Sequence, residues 1–230
     1  MRQPSLTAAA GDVLAELATL RVMPVVVLDN VSSAAPLAEV LTEAGLPCAE
    51  VTLRTAAAEE AITIMAQRSD LLVGAGTVLD AGQAERVVAA GARFVVSPGL
   101  DEEVVETCHN LGVLALPGAV TPTEIQRARR AGLAAVKFFP AEALGGIDVI
   151  DAISAPFPEI SFVPSGGISL ANLQPYLAHK AVLAVGGSWM LPRQLLAGRQ
   201  WEQVSRLATE AARLARESKL PAGPRLGGSR

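Results

Sequence analysis

The sequence contains few cysteine, histidine and aromatic residues. Among 230 residues there are two cysteines, two histidines and 3% aromatic residues. Two cysteines are too few for a disulfide framework and are typical of a reducing compartment, so a cytoplasmic location is expected. His109 and His179 have no neighbours at the spacing of a zinc site. We therefore expect neither a metal nor another cofactor.

The sequence also lacks an excess of positive charge and any long uncharged apolar run. Its formal net charge is −4, whereas nucleic-acid binding usually requires a basic surface. No run is long enough for a membrane-spanning helix, and no apolar segment precedes Asp12, so no signal peptide is expected. These features argue against nucleic-acid and membrane partners. Residues 221–230 are rich in Pro and Gly and are predicted to be disordered, which leaves 1–220 as one domain.

What the sequence does contain is a series of eight short apolar runs. They begin at Met23, Cys48, Leu71, Phe94, Val113, Ala135, Ser161 and Ala181. Their spacing of roughly 20 to 25 residues fits a strand, a helix and two loops. Near-continuous apolar strands favour a parallel sheet that is buried on both faces. The pattern predicts a (β/α)₈ TIM barrel with an additional N-terminal helix; an open doubly wound sheet is the alternative, but no G-x-G-x-x-G follows the first run.

Charged residues interrupt two of these runs. Glu50, Thr52 and Arg54 alternate in AEVTLR, so they share one face of a strand. Lys137 lies in the middle of AVKFF, and Phe139 shares its face. Burial of an unpaired ammonium is costly, and a barrel interior is normally filled with branched apolar side chains. A structural ion pair, or a lysine that reaches solvent from a strand end, remains an alternative to a catalytic role.

Glycine pairs follow the last two predicted strands. They occur in SGGIS, residues 165–169, and in GGSW, residues 186–189. Backbone N–H groups of glycine-rich loops can approach an anion closely, and barrels often bind phosphate after strands seven and eight. Ordinary tight turns are the alternative, but two pairs at these two positions favour a phosphate site.

A lysine and a carboxylate at strand ends suit Schiff-base chemistry. A desolvated neutral amine can attack a carbonyl, and a nearby carboxylate can transfer protons. We therefore predict that Lys137 is a nucleophile and that Glu50 is a general acid and base. The composition supports this assignment, because 16 of 19 basic residues are arginines and the lysines are Lys137, Lys180 and Lys219 alone. Arginine remains protonated and cannot replace lysine in this role.

Six motifs carry a resemblance to a known family. EVTLRT, VGAGTVLD, SPGLDEEV, KFFPAE, PSGGIS and AVGGSW, in this order, resemble the aldolases that cleave 2-keto-3-deoxy-6-phosphogluconate (KDPG). The similarity extends from about Arg21 to Ala215. One difference is that the family has Thr-Gly-Gly where this chain has Ser165-Gly166-Gly167. Serine retains the hydroxyl group and loses a methyl group.

The resemblance implies a homotrimeric class I aldolase with a (β/α)₈ barrel and no cofactor. It implies an imine at Lys137, proton transfer by Glu50, and a phosphorylated keto acid and pyruvate as ligands. The implied substrate-binding residues are Arg21, Arg54, Thr77, Pro98 and Phe139. The implied phosphate-binding residues are Ser165, Gly166, Gly167, Gly186, Gly187 and Ser188.

Three other functions remain open at this point. The same chemistry could act on 4-hydroxy-2-oxoglutarate or on 2-keto-3-deoxy-6-phosphogalactonate. A phosphate-binding isomerase could use Glu50 as its base and Lys137 as an electrostatic group. A non-catalytic sugar-phosphate sensor would need only the glycine pairs.

Overall fold

The computed structural model describes residues 7–218, in which strands and helices alternate after one initial helix. The strands are β1 Val22–Val26, β2 Cys48–Thr52, β3 Leu72–Gly76, β4 Phe94–Ser97, β5 Leu114–Pro117, β6 Ala135–Phe138, β7 Ser161–Pro164 and β8 Val185–Gly187. The helices are α1 Ala8–Leu20, α2 Ala34–Glu43, α3 Ala58–Met65, α4 Ala81–Ala89, α5 Glu102–Asn110, α6 Pro122–Arg130, α7 Gly146–Ser154, α8 Leu173–Ala178, α9 Arg193–Ala197 and α10 Trp201–Glu217. Each of the eight predicted apolar runs overlaps one strand.

Several helices begin at a side-chain cap directly after a strand. Asp80, Asp101 and Thr121 each accept a hydrogen bond from a backbone amide of the first turn. At α6 the carboxylate of Glu124 also accepts from the Thr121 amide, which completes a capping box. These caps fix the residue at which each helix begins after its strand.

All strand pairs are parallel. Six strands form a half-barrel sheet in the order β5-β4-β3-β2-β1-β8, and β6 pairs with β7 in a second sheet. Isolated parallel bridges span both gaps between the sheets: Gly118–Lys137, Phe162–Val182 and Ser165–Gly186. The expected α/β fold with a parallel sheet is confirmed in this form, as two bridged sheets rather than one continuous eight-stranded ladder.

Two hydrophobic clusters lie on opposite faces of the strands. The outer cluster joins the strands to the surrounding helices. The inner cluster contains residues near the amino ends of six strands: Met23, Cys48, Leu72, Phe94, Leu114 and Ala135. Val13, Leu14 and Leu17 of α1 belong to the same inner cluster. The helix ahead of β1 therefore covers the amino ends of the strands with apolar side chains, and the interior is accessible from the carboxyl ends.

Two expectations from the sequence concern the C-terminal tail and the membrane. The segment 221–230, for which disorder is predicted, lies outside the described residues. Within residues 7–218, no helix has the length and apolar character needed to span a membrane.

Candidate active site

A cavity of about 440 Å³ lies at the carboxyl ends of the strands. Its volume is in the range of sites that bind small molecules. It is lined by Val25, Glu50, Thr52, Arg54, Thr77, Pro98, Lys137, Phe139, Ser165, Gly166, Gly186, Gly187 and Ser188. The fold thus brings residues from seven strands or the loops that follow them to one place.

Lys137 and Glu50 form a buried pair at this cavity. Lys137 Nζ donates a hydrogen bond to Oε1 of Glu50 over 3.0 Å, from β6 to β2. The lysine side chain is 9% exposed and the glutamate side chain is 0% exposed. Among the described residues, no group hydrogen-bonds to the other carboxylate oxygen, Oε2 of Glu50, although it is buried. One oxygen therefore orients the amine, and the other is left without a hydrogen-bond partner within the described residues.

A glycine on the neighbouring strand makes room for the carboxylate. In the parallel pairing of β2 with β3, Thr52 is the register partner of Gly76. A Cβ atom at position 76 would overlap Oε1 of Glu50. Gly76 is thus the residue that allows a glutamate to lie inside the sheet. It was not assigned from the sequence, because the cross-strand register is needed to see this contact.

Three further side chains form walls of the cavity. Arg54 is exposed, and its guanidinium makes no hydrogen bond or ion pair with any residue in the range 7–218. The Phe139 ring lies 5.3 Å from Lys137 Nζ, a cation–π distance. Thr77 has φ +59°, an uncommon conformation for a β-branched residue and a form of strain that occurs at functional sites. Two cations and one carboxylate make the cavity suitable for an anion.

Backbone rather than side chains forms the opposite wall. Gly166 has φ +96°, and a Cβ atom there would lie 3.1 Å from the Phe139 ring. A Cβ atom at Gly187 would overlap the ring of Trp189. The bridge between Ser165 and Gly186 joins the two glycine loops. Absence of side chains lets the main chain of both loops reach a bound anion.

One predicted site residue lies elsewhere, and that prediction is wrong. Arg21 precedes β1, so its side chain is at the amino ends of the strands and does not line the cavity. Its guanidinium donates to the carbonyl of Leu177, to that of Val182 over 2.7 Å and to that of Leu183 over 2.9 Å. The residue is 4% exposed, and burial lowers the pKa of the guanidinium. The Arg21 side chain therefore links α8 to the segment that leads into β8.

Gly167 also lies outside the cavity lining, and two lining residues were not assigned from the sequence. Gly167 has φ +82° and packs against Glu142. Thr52 lines the cavity and donates its hydroxyl to the Val26 carbonyl over 2.9 Å. The alternation with Glu50 was a signal for Thr52. Val25 carried no signal, because it is one of several valines in an apolar run.

A family of known proteins matches this chain over most of its length. The family model for KDPG and KHG aldolases matches residues 13–207. The chain belongs to this family. The resemblance stated from the sequence motifs is thereby confirmed.

Individual members of the KDPG and KHG aldolase family are similar to the chain throughout. The 2-dehydro-3-deoxy-phosphogluconate aldolase of Treponema pallidum is 48% identical over 199 residues, which cover 86% of this chain and 95% of that protein. A KDPG aldolase of Legionella pneumophila was solved with pyruvate captured as a covalent carbinolamine. It superposes with a TM-score of 0.83 at 39% sequence identity, and the match covers 86% of this chain and 97% of that chain. The 2-keto-3-deoxy-6-phosphogluconate aldolase of Zymomonas mobilis, solved with 3-phosphoglycerate, has a TM-score of 0.83 and a sequence identity of 36%. The match covers 91% of this chain and 98% of that chain.

The described part of this aldolase-family chain has no cluster suited to a metal. Between residues 7 and 218, no three His, Cys, Asp or Glu side chains are grouped so that they could hold an ion.

Proposed function

We propose that the protein is a class I aldolase that cleaves KDPG to pyruvate and D-glyceraldehyde 3-phosphate. The observation that carries the proposal is the Lys137–Glu50 pair, 3.0 Å apart and buried at the floor of an otherwise open cavity. An amine and a carboxylate in this arrangement are the two groups that imine-based cleavage requires. Family membership and the covalent pyruvate adduct of the Legionella relative agree with this chemistry.

The first steps form a covalent intermediate at Lys137. The Lys137 ammonium passes a proton to Glu50, and the resulting amine attacks the C2 carbonyl of the keto acid to give a carbinolamine. Glu50 returns the proton to the carbinolamine hydroxyl, which leaves as water and gives a protonated imine. Glu50 lies within hydrogen-bond distance of the amine and moves the protons of these steps. The positive imine then withdraws electrons from the neighbouring carbon–carbon bond.

The later steps cleave the C3–C4 bond and release the aldehyde and then pyruvate. Glu50 accepts the proton of the C4 hydroxyl, the C3–C4 bond breaks, and the aldehyde leaves. The electron pair remains on the enamine, which takes a proton at C3 from Glu50 to become the imine of pyruvate. Water hydrolyses this imine and regenerates the amine of Lys137. The unpartnered Oε2 atom of Glu50 is the oxygen we assign to these transfers.

The remaining cavity residues bind the two ends of the substrate. Arg54 has no competing partner among the described residues, and its guanidinium suits the carboxylate next to the reacting carbonyl. Thr77, Pro98 and Phe139 form the walls around the keto acid.

The loops at Ser165–Gly166 and Gly186–Ser188, with the adjoining Gly167, bind the phosphate through backbone amides and serine hydroxyls. The relative solved with 3-phosphoglycerate supports a phosphorylated ligand.

A second substrate is 4-hydroxy-2-oxoglutarate, which is favoured by a family model that covers KDPG and KHG aldolases together. The chemistry at Lys137 is the same, and only the distal end differs. 2-Keto-3-deoxy-6-phosphogalactonate differs from KDPG at C4 and tests the stereochemical preference of the same site.

Four properties of the whole protein belong to the same proposal. The bridges between the two sheets support a closed (β/α)₈ barrel with α1 across its amino end. One domain over 1–220 is supported, within residues 7–218, by the outer cluster, which contains residues of all eight strands. A homotrimer follows from the family resemblance. Location in the cytoplasm is supported by Cys48 and Cys108, which are both buried free thiols.

A coupled assay for pyruvate release tests this function. We expect KDPG to give a higher kcat/KM than 4-hydroxy-2-oxoglutarate, because binding of the remote phosphate group raises kcat/KM. Inorganic phosphate should compete with KDPG only, because KDPG is the one of these two substrates that carries a phosphate. Activity should persist in excess EDTA. Absence of pyruvate release from all three keto acids, with phosphorylated sugars isomerised instead, would contradict the aldolase assignment.

A further inference from the structure

A tyrosine and a glutamate outside the cavity are joined behind the glycine loop that follows β7. Tyr176 of α8 is 2% exposed, and its hydroxyl donates to Oε1 of Glu142. Glu142 lies five residues after Lys137, in the 3₁₀ turn that follows β6. Neither side chain lines the cavity.

Glu142 is packed directly against the glycine loop. A Cβ atom at Gly167 would lie 2.6 Å from Cβ and 2.7 Å from Cγ of Glu142. The Glu142 amide donates to the Gly166 carbonyl over 3.1 Å, and the Ala141 amide donates to the Ser165 carbonyl over 2.8 Å. The turn after β6 and the loop after β7 therefore form one hydrogen-bonded unit.

Tyr176 holds the far end of this unit. A Cβ atom at Gly146 would lie 2.9 Å from the tyrosine hydroxyl, so glycine at 146 leaves the space that the hydroxyl occupies. Burial and the facing carboxylate of Glu142 raise the pKa of Tyr176 well above its ordinary value. The raised pKa favours the protonated phenol, which is the form that donates to Glu142.

The glycine loop needs such support because its own backbone is permissive. Gly166 and Gly167 have φ values of +96° and +82°, and glycine moves between backbone conformations more easily than any other residue. Amide groups that bind an anion must be oriented before the anion arrives, or the cost of ordering them reduces affinity. An additional hydrogen bond, from Asn172 Nδ2 to the Gly167 carbonyl over 3.1 Å, also restrains the loop.

We propose that the Tyr176–Glu142 hydrogen bond is a positioning device for the phosphate end of the substrate. It orients the backbone of Ser165–Gly167 through the Glu142 side chain, and neither residue touches the substrate. The inference rests on the proposed function, since it presupposes a phosphate at this loop. It assigns to Glu142 and Tyr176 an effect on the affinity for the phosphorylated end and none on the chemistry at Lys137.

Three variants test the proposal. Tyr176→Phe keeps the ring that packs in the core and removes the donor. Glu142→Ala removes the acceptor and the packing on Gly167, whereas Glu142→Gln keeps the side-chain length and a carbonyl oxygen that can accept from Tyr176. Glu39→Ala, an exposed glutamate on α2, is the matched control for the loss of one charge.

The readouts are kinetics with KDPG and with 4-hydroxy-2-oxoglutarate, and the rate of trapping by pyruvate and borohydride. For Tyr176→Phe and Glu142→Ala, we expect KM for KDPG to rise about two- to tenfold, the usual effect of one hydrogen bond. The inhibition constant of inorganic phosphate should rise by the same factor. The kcat for KDPG, the kcat/KM for 4-hydroxy-2-oxoglutarate and the trapping rate should match the wild type. Glu142→Gln and Glu39→Ala should behave as the wild type throughout.

Two outcomes overturn the proposal, and they differ in what else they affect. If Tyr176→Phe weakens both substrates equally, or keeps the wild-type affinity for phosphate, the hydrogen bond only stabilises the fold and the proposed function survives. If the wild type itself shows neither a preference for the phosphorylated substrate nor inhibition by phosphate, the proposed phosphate site is wrong. The positioning role of Tyr176 and Glu142 is then wrong as well.

Discussion

Arg21 and Arg54 lie at opposite ends of the strands and differ in what their guanidinium groups contact. Arg21, at the amino ends, is buried and donates to three backbone carbonyls. Arg54, at the carboxyl ends, is exposed in the cavity and has no partner among the described side chains. A guanidinium whose terminal nitrogens donate to the backbone within the fold supports structure, whereas one with free donors in a cavity is available to a ligand.

The interiors at the two ends differ in the same way. Near the amino ends, α1 and the first residues of the strands form an apolar cluster. Near the carboxyl ends, the interior holds the Lys137–Glu50 pair and an unpartnered carboxylate oxygen. The amino end, which α1 closes, contributes to stability. The carboxyl end, which is open, carries a buried charge pair whose desolvation is costly, and a function explains that pair better than stability does. Substitutions at each end should therefore have separable effects.

The largest effect is expected at the nucleophile. Lys137→Arg keeps a cation beside Glu50 but removes the amine, so turnover should fall by about 10⁴-fold or more, as for other covalent enzymes that lose their nucleophile. Lys180→Arg, an exposed lysine just before β8, is the matched control and should retain full activity. Circular dichroism checks that both variants are folded. Turnover that survives in Lys137→Arg contradicts the imine mechanism.

Glu50→Gln should have the next largest effect. The amide has the shape of the carboxylate and still accepts from Lys137, but it cannot transfer protons. Turnover should fall by about 10²–10⁴-fold, the usual contribution of a positioned acid and base. The imine with pyruvate should still form, because water can carry the protons of that step when Glu50 is replaced. Steady-state kinetics and borohydride trapping measure the two parts. Near-normal turnover would reduce the pair to a structural ion pair.

Substitution of one glycine at each end of the strands compares the two ends directly. A methyl group at position 76 would overlap the Glu50 carboxylate, so Gly76→Ala should lower kcat by about 10²-fold through displacement of the catalytic group. Gly11 lies in α1, and a methyl group added there would meet no neighbouring atom within 4 Å. Gly11→Ala should leave kcat unchanged and raise the free energy of unfolding by about 0.5–1 kcal/mol. Equal kinetic effects of the two variants would contradict the division between the ends.

The smallest effect on activity is expected at Arg21. Arg21→Met removes three charge-assisted hydrogen bonds and leaves buried carbonyls without donors, so the free energy of unfolding should fall by about 3 kcal/mol. Urea denaturation measures this loss. The folded variant should keep kcat/KM within about twofold of the wild type, because no atom of Arg21 reaches the cavity. A raised KM together with an unchanged free energy of unfolding would indicate that Arg21 binds the substrate.

Local patterns allowed much of this molecule to be predicted from its sequence. The eight strands could be located because parallel strands buried on both faces are apolar throughout. The candidate residues Lys137 and Glu50 stand out because charges are costly in such strands. In both cases the signal lies within about five residues of sequence.

The features that could not be predicted depend on contacts between distant segments. Arg21 was misassigned on the family resemblance, although its place before a strand rather than after one would have put it at the closed end. The space that Gly76 leaves for Glu50 depends on the register of β2 with β3. The hydrogen bond from Tyr176 to Glu142 joins residues 34 apart in sequence, and no short motif records it.

Covalent trapping with pyruvate and borohydride, followed by peptide mapping with mass spectrometry, tests the central claim most directly. The chain has three lysines, Lys137, Lys180 and Lys219, so the labelled peptide identifies the nucleophile without ambiguity. We predict one reduced adduct per chain, on Lys137 alone, and none in Lys137→Arg. A label on Lys180 or Lys219, or no label during full turnover, would contradict the assignment of Lys137 as the nucleophile.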